Sequence, residues 1–416
     1  MAKKKMPSVK KIYVDYNSTT PVHPEVVEAM MPYYRNVFGN ASSIHRFGQE
    51  AHRALDLARE SIAKLLNCDT SEIVFTSGGT ESDNHAIKGI VSAASASSAM
   101  ASAGNHIITS KIEHSAVLSP CKYLENTAGA VVTYLPVDEY GVVDLQKLDE
   151  ALTDKTILVS IMSGNNEVGT LQPVEEIGRI IAKHNESRIA KGQQPVYFHT
   201  DAVQCAGKIS LDLKKLKVDL LSLSSHKIYG PKGVGALFIR KGTKIHPLIH
   251  GGHHEKSRRA GTENIPGIAG FGKACDLAVK NMATETKKIA GLRDAIWQGI
   301  SKKIECVRRN GHPEKCLSNT LNVSFEFIEG ESLLLNLDLK GIAASTGSAC
   351  TSGSLEPSHV LSAIGVDPVT SQSSIRFSLG MLNTQQDVDY ILDVLPGIVT
   401  KLREMSPLYK KKKRAG

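Results

Sequence analysis

The sequence predicts an α/β protein: a mainly parallel central sheet flanked by helices, followed by a smaller C-terminal α+β domain. Two observations carry that expectation. Strand-length apolar runs alternate with helical patterns up to about residue 240, and repeated β–α alternation buries both faces of a parallel sheet. Beyond residue 265 the pattern changes to a long helical stretch followed by widely spaced short strands. The strand-length runs are 72–76, 106–110, 131–135, 156–162, 196–200, 219–223 and 235–239. Helical patterns occupy 49–66, 80–91, 115–126 and 173–184. In the first, Ala51, Leu55, Ala58, Ile62 and Leu65 recur every three or four residues, one apolar stripe of an amphipathic helix. The Ala/Ser-rich 92–104 reads as a helix end with a surface loop, and 187–194 reads as an exposed insert. The C-terminal layer comprises helix 268–304, strand 321–327, helix 331–338, strand 374–379 and helix 384–405. The expected division is a basic tail at 1–11, a large domain with its N-terminal segment at 12–265, a small domain at 266–409 and a basic tail at 410–416.

The 416 residues, 41% of them apolar and 22% charged, suit a folded chain with a substantial core and exclude a disordered one. The net charge of +8 needs its distribution examined. Lys3, Lys4, Lys5, Lys10 and Lys11 open the chain, and Lys410, Lys411, Lys412, Lys413 and Arg414 close it, with no acid among either group. These tail cations exceed the net charge, so the body between them is slightly acidic. That excludes a broadly basic, nucleic-acid-coating domain. No run approaches the roughly 18 apolar residues of a membrane span, and the basic N-terminus lacks the apolar segment of a secretory signal. The seven cysteines (68, 121, 205, 275, 306, 316, 350) are scattered and contain no CxxC pair. This pattern predicts a reducing compartment, the cytoplasm by default, with neither a disulfide framework nor structural zinc.

Three segments could carry chemistry together. Thr76-Ser-Gly-Gly-Thr-Glu-Ser82 follows a strand and opens a helix, where small residues and the helix N-terminus suit an anion. Alone, it also fits a glycine turn with a threonine cap, and it is neither of the common nucleotide-binding loops. Strand 196–200 runs into Asp201, with Gln204 one turn on, and strand 219–223 runs into Ser224-Ser-His-Lys227. Singly, an aspartate after a strand is often a cap and a lysine is usually solvated. In a parallel sheet, however, these residues emerge at one carboxyl edge, where such sheets bind ligands. An Asp, a Lys and a phosphate cradle at one edge meet the needs of pyridoxal phosphate. The Lys supplies a Schiff base, and the Asp keeps the pyridine nitrogen protonated.

These segments belong to a longer series in a fixed order. It contains Tyr13-Val-Asp-Tyr-Asn-Ser-Thr-Thr-Pro21, Asn40-Ala-Ser-Ser-Ile-His45, Phe75-Thr-Ser-Gly-Gly-Thr-Glu-Ser82, Glu113-His114, Asn165-Asn-Glu167 and His199-Thr-Asp-Ala-Val-Gln204. It continues with Ser224-Ser-His-Lys227, Arg259-Ala-Gly-Thr-Glu263, Gly347-Ser-Ala-Cys-Thr-Ser-Gly353 and Ser374-Ile-Arg-Phe377. In these motifs the chain resembles the cysteine desulfurases of the NifS/IscS type, class-V aminotransferase-like pyridoxal-phosphate enzymes of fold type I. The likeness runs from Tyr13 to Leu408. It implies that Lys227 carries the cofactor, Asp201 pairs with the pyridine nitrogen and Gln204 contacts the ring hydroxyl. His114 would stack on the ring and relay protons. Gly79, Thr80, Ser224 and His226 would hold the phosphate, and Thr262 would reach the phosphate of a neighbouring subunit's cofactor. Asn166 would lie against the ring hydroxyl and the substrate carboxylate, which Arg376 would clamp in a bidentate pair.

Cys350 decides the reaction that the resemblance implies. Its surroundings from Ala343 to Ser354 are small and polar, which suits an accessible thiol on a loop, whereas the other six cysteines read as small core hydrophobes. The implied activity converts L-cysteine to L-alanine with a persulfide on Cys350. A homodimer would pass the sulfur to a scaffold protein of iron–sulfur assembly or to tRNA thiolation. Selenocysteine lyase is a near alternative sharing most of these residues. A basic-tailed nucleic-acid-binding protein is the alternative of another class and would bind no cofactor. The run His250-Gly-Gly-His-His-Glu255 resembles metal ligands. It also matches the desulfurase segment leading to Arg259, where no metal is used, so no metal site is expected.

Overall fold

The computed structural model describes residues 11–96, 104–346 and 357–410. Cys350 lies outside the described residues, as do both tail ends and most of the Ala/Ser-rich stretch. In chain order the first strands are β1 (Ile12–Tyr13), β2 (Ile73–Thr76), β3 (His106–Ser110), β4 (Val131–Leu135), β5 (Thr156–Ser160) and β6 (Tyr197–Asp201). They are followed by β7 (Leu220–Ser224), β8 (Gly235–Ile239), β9 (Val307–Asn310), β10 (Thr320–Phe325), β11 (Ile342–Ala343) and β12 (Ser374–Ser378).

Seven strands form the central sheet in the order β2-β8-β7-β6-β5-β3-β4. The neighbours from β7 to β4 are parallel, and β8 runs antiparallel to both β2 and β7. The reversal occurs where β–α alternation lapses. Between Ser224 and Gly235 there is a single short 3-10 turn, too little chain for a parallel crossover. Successive residues of a strand point to opposite faces, and the core divides accordingly. Val159, Phe198, Leu221 and Phe238 pack beneath helices Arg46–Leu66 and Val174–Ala190. Leu158, Leu220 and Leu237 pack beneath helices Gly79–Ser95 and Ser115–Ala128.

The stripe expected on helix Arg46–Leu66 is buried at Ala51, Leu55, Ala58 and Ile62, joined by Ala54, while Leu65 is only half-buried. Its small residues allow close approach by helix Ile265–Lys303. A Cβ at Gly272 would come within 2.6 Å of the Ala58 Cα. That long helix is shared between two cores. Ile265, Ile268, Phe271 and Cys275 belong to the sheet core. Ile289, Leu292, Ile296 and Ile300 belong to a second core, built with β10, β12 and helix Gln385–Met405. The second core also takes Ile12 and Val14, because β1 pairs in parallel with β11. The start of the chain is thus sewn into the C-terminal layer and crosses from there toward the central sheet.

Residues 187–194 are mostly exposed, as expected. Helix Val174–Ala190 continues through half of them, and Arg188 is buried, donating to the Gln194 and Thr153 carbonyls at 2.8 and 3.1 Å. A guanidinium whose N–H groups all face carbonyls can be buried, which charge content alone does not reveal. No helix among the described residues is long and apolar enough to cross a membrane.

The 250–255 run also finds a structural use. Glu255 accepts hydrogen bonds from Arg59 at 2.8 and 2.9 Å and from the Phe75 N–H at 2.9 Å. This pair is largely buried and fixes β2 just before the glycine loop. Removing one partner strands the other charge. Arg59→Met is therefore expected to lower unfolding stability by about 3–5 kcal/mol in denaturant titration, and Arg59→Met/Glu255→Gln to recover part of the loss.

Candidate active site

Three chain segments meet at the carboxyl edge of the sheet. After β2 the backbone turns at Gly78, whose φ of 156° is open to glycine and hostile to L side chains. Helix Gly79–Ser95 then begins with no side-chain cap, so its N-terminal dipole and first N–H groups are available to an anion. A Cβ at Gly79 would lie 2.7 Å from the Val203 side chain, so a larger residue here forces Val203 to move. Asp201 ends β6 and Ser224 ends β7, with His226 and Lys227 on the turn that follows.

A cavity of about 370 Å³ is lined by Gly79, Thr80, His114, Asn166, Asp201, Gln204, Ser224, His226, Lys227 and Arg376. Ten of the twelve residues singled out from the sequence are therefore brought together. Thr262 is exposed on the chain leading into helix Ile265–Lys303 and does not line this cavity. Cys350 lies outside the described residues. The cavity also exposes Asn17, Ser18 and Asp83, to which the sequence motifs assigned no role.

Asn17 organises the site. Its side-chain amide donates to the Asn166 carbonyl at 3.0 Å and to Thr320 Oγ1 at 2.9 Å, and it accepts from Asn319 Nδ2 at 2.8 Å. Its backbone N–H donates to Ser378 Oγ at 2.9 Å. Its carbonyl accepts from Gln204 Nε2 at 3.0 Å and from Lys227 Nζ at 2.5 Å. The Ser18 carbonyl takes a second Lys227 hydrogen bond at 2.8 Å, so the ammonium is aimed by two backbone oxygens. Arg376 donates through Nη2 to Asp15 Oδ1 and Ser18 Oγ, and through Nη1 to the Asn166 carbonyl, each at 2.9 Å. Its Nε is buried without a partner, an unsatisfied donor beside the cavity.

Burial dominates the electrostatics. The Asp201 carboxyl is pushed up to about 7, first by burial and then by the negative charge of Asp83. His226 is pushed down to about 4 by burial and then by the neighbouring Lys227 charge, so its ring is neutral at pH 7. His114 caps helix Ser115–Ala128, its Nδ1 accepting the Ala116 N–H at 3.1 Å, so the neutral ring carries its proton on Nε2.

The matches to known proteins agree with this geometry. The class-V aminotransferase family model matches residues 12–391. A cysteine desulfurase IscS of Methanosarcina thermophila is 55% identical over 405 residues, covering 97% of this chain and 96% of that protein. The IscS cysteine desulfurase of Dictyoglomus turgidum is 52% identical over 398 residues, covering 96% and 97%. Among solved structures, a NifS-like protein aligns with a TM-score of 0.86 at 42% identity, covering 94% of this chain and 100% of that one. SspA, solved in complex with cysteine, aligns with a TM-score of 0.75 at 36% identity, covering 89% and 99%. The chain belongs to the class-V aminotransferase family, enzymes of pyridoxal-phosphate fold type I. Within it, the chain is a cysteine desulfurase of the IscS/NifS type, with pyridoxal phosphate as its cofactor. Neither selenocysteine lyase nor a nucleic-acid-binding protein is favoured by these matches.

The residues present fit that cofactor. An uncapped helix N-terminus with Ser224 beside it suits a phosphate, a buried carboxyl suits a pyridinium, and Lys227 lines the same cavity. Glu113 supports the same wall. It is fully buried, accepting from Ser110 Oγ at 2.6 Å and from the Met162 N–H at 3.0 and 3.1 Å. Burial raises its carboxyl from the ordinary 4.5 to about 8, so the folded protein holds this proton where the unfolded chain has lost it. Stability from this group therefore falls as pH rises from about 4.5 to 8. Glu113→Gln is expected to flatten that part of the stability–pH profile, measured by denaturant titration of the apoprotein.

Proposed function

We propose that the chain converts L-cysteine to L-alanine, leaving the sulfur as a persulfide on Cys350 for transfer to an acceptor in iron–sulfur cluster assembly or tRNA thiolation. The observation that carries this reading is the convergence of Lys227, Asp201 and the incompletely satisfied Arg376 guanidinium on one cavity. Gly79, Thr80, Ser224 and His226 would hold the cofactor phosphate, Asp201 its ring nitrogen, Gln204 and Asn166 its hydroxyl edge, and His114 its face. Pyridoxal phosphate supplies an electron sink for the substrate's α-carbon. The substrate carboxylate docks on Arg376 and Asn166. With Nη2 already engaged by Asp15 and Ser18, Arg376 offers chiefly its buried Nε, so a bidentate clamp requires Nη2 to give up one of those partners. Lys227 takes the α-proton and later returns it to the three-carbon fragment, while the proton released from the substrate thiol, relayed by His114, supplies the carbon that loses sulfur. The Cys350 thiolate bonds to the substrate sulfur, and the C–S bond breaks with its electron pair left on that fragment, which leaves as alanine.

A homodimeric, cytoplasmic enzyme accommodates three further features. Thr262 points to a second subunit, since it is exposed and away from its own cavity. Tyr34, Phe38, Ile44 and Phe47 form an exposed apolar segment, with Phe38 and Phe47 rings 5.6 Å apart. Such a segment suits an interface with another copy. Cys68, Cys121, Cys205, Cys275, Cys306 and Cys316 are all free thiols, in keeping with a reducing compartment.

Cys350→Ser is expected to keep the bound cofactor's visible absorbance while releasing no sulfide from cysteine; full turnover in that variant would exclude Cys350 as the sulfur acceptor. Phe38→Asp/Ile44→Asp is expected to sediment as a monomer, and an undisturbed dimer would remove that segment from the interface.

A further inference from the structure

Asp83 is a second fully buried carboxylate on the cavity wall. It sits one turn into helix Gly79–Ser95, over the part of the sheet that carries His199 and Asp201 on β6 and Ser222 on β7. His199 and Asp201 are two residues apart on one strand and share a face, and Asp201 is directly opposite Ser222 in the sheet. His199 Nδ1 lies 2.8 Å from Ser160 Oγ, and its Nε2 lies 3.0 Å from Ser222 Oγ and 3.5 Å from Asp83 Oδ1. Burial holds the imidazole well below its ordinary protonation range, so it gives Asp83 no full positive charge. Asp83 Oδ1 is buried with no hydrogen bond. The Ser222 side chain hydrogen-bonds this carboxylate, but an unpaired buried oxygen still costs stability.

We propose that Asp83 is a positioning residue for the cofactor, acting with Asp201: its carboxylate, buried on the wall of the same cavity, favours a cationic ring there. This inference rests on the pyridoxal-phosphate reading of the cavity. The titratable groups that face Asp83 are Asp201, His199, His114 and, more distantly, Glu113. Asp201 and Glu113 can bring only negative charge. Bound cofactor adds the missing cation. The two carboxylates then share one positive ring, and the cost of burying Asp83 becomes preference for the protonated cofactor. The sign follows directly. Removing a negative charge near a protonated group lowers the pH at which that group loses its proton.

The test titrates the visible absorbance of purified, cofactor-loaded enzyme against pH, with cofactor retention measured by dialysis. Asp83→Asn is expected to lower the midpoint of the bound-cofactor band by about one pH unit, the scale of a carboxylate several ångströms away in a protein interior. It should also release cofactor faster, and Asp83→Glu should restore both toward the parent values. Asp83→Ser removes the charge with less volume and serves if the Asn variant does not accumulate folded. Midpoint and retention unchanged in the charge-removing variants would overturn the proposal. A parent protein that takes up no pyridoxal phosphate would overturn the cofactor reading itself, a result distinct from an unaltered Asp83 variant of a coloured parent.

Discussion

The six hydrogen bonds of Asn17 are the constraint on which the rest of the site depends. This residue stands where the first strand leaves the second core and enters the sheet core, and it bonds to both. Its amide and N–H hold Asn319, Thr320 and Ser378 on the C-terminal side, while its carbonyl holds Gln204 and Lys227 on the sheet side. Each bond contributes modestly in net terms, but leaving any of these buried groups unpaired costs more than the bond itself provides. Segment 15–18 therefore behaves as a rigid strap. Lys227 and Arg376, more than a hundred residues apart in sequence, are aimed from its two sides.

Around that strap the protein keeps an unusual density of buried charge. Asp83, Asp201 and Glu113 are all acids inside the molecule, and burial raises the proton affinity of each. Two cations line the same cavity: Lys227 on backbone carbonyls, and the buried Arg376 paired with Asp15. A site of this kind is strained electrostatically until a ligand carrying both a cationic ring and an anionic phosphate fills it. Pyridoxal phosphate has those two ends, and the uncapped start of helix Gly79–Ser95 on the cavity wall suits the anionic one.

Much of this was legible from particular residues. The strands at 106–110, 131–135 and 235–239 have the bounds their apolar runs announced, because a short apolar run bounded by turn residues marks a strand whatever its direction. Asp201 and Lys227 were legible as site residues because each follows such a run. The antiparallel turn of β8 was not, since a strand's direction depends on how short its connection is, a feature its own residues do not encode. The burial of Arg188 was hidden because a guanidinium's environment is set by carbonyls far off in sequence. Glu255 resembled a metal ligand, and its bond to Arg59 depends on a contact 196 residues away.

The sequence by itself determined the class of chemistry and the family. Glycine spacing, the residues that follow strands and the order of the motifs are local properties that survive without coordinates. Only the tertiary structure decided how those residues are aimed: that Asn17 joins the two cores, that Asp15 and Ser18 engage Arg376, and that Asp83 lies beneath the site with one oxygen unpaired. The reason is physical. The identity of a side chain is written in the chain, but its charge and direction follow from desolvation and from partners that folding brings within about 3 Å.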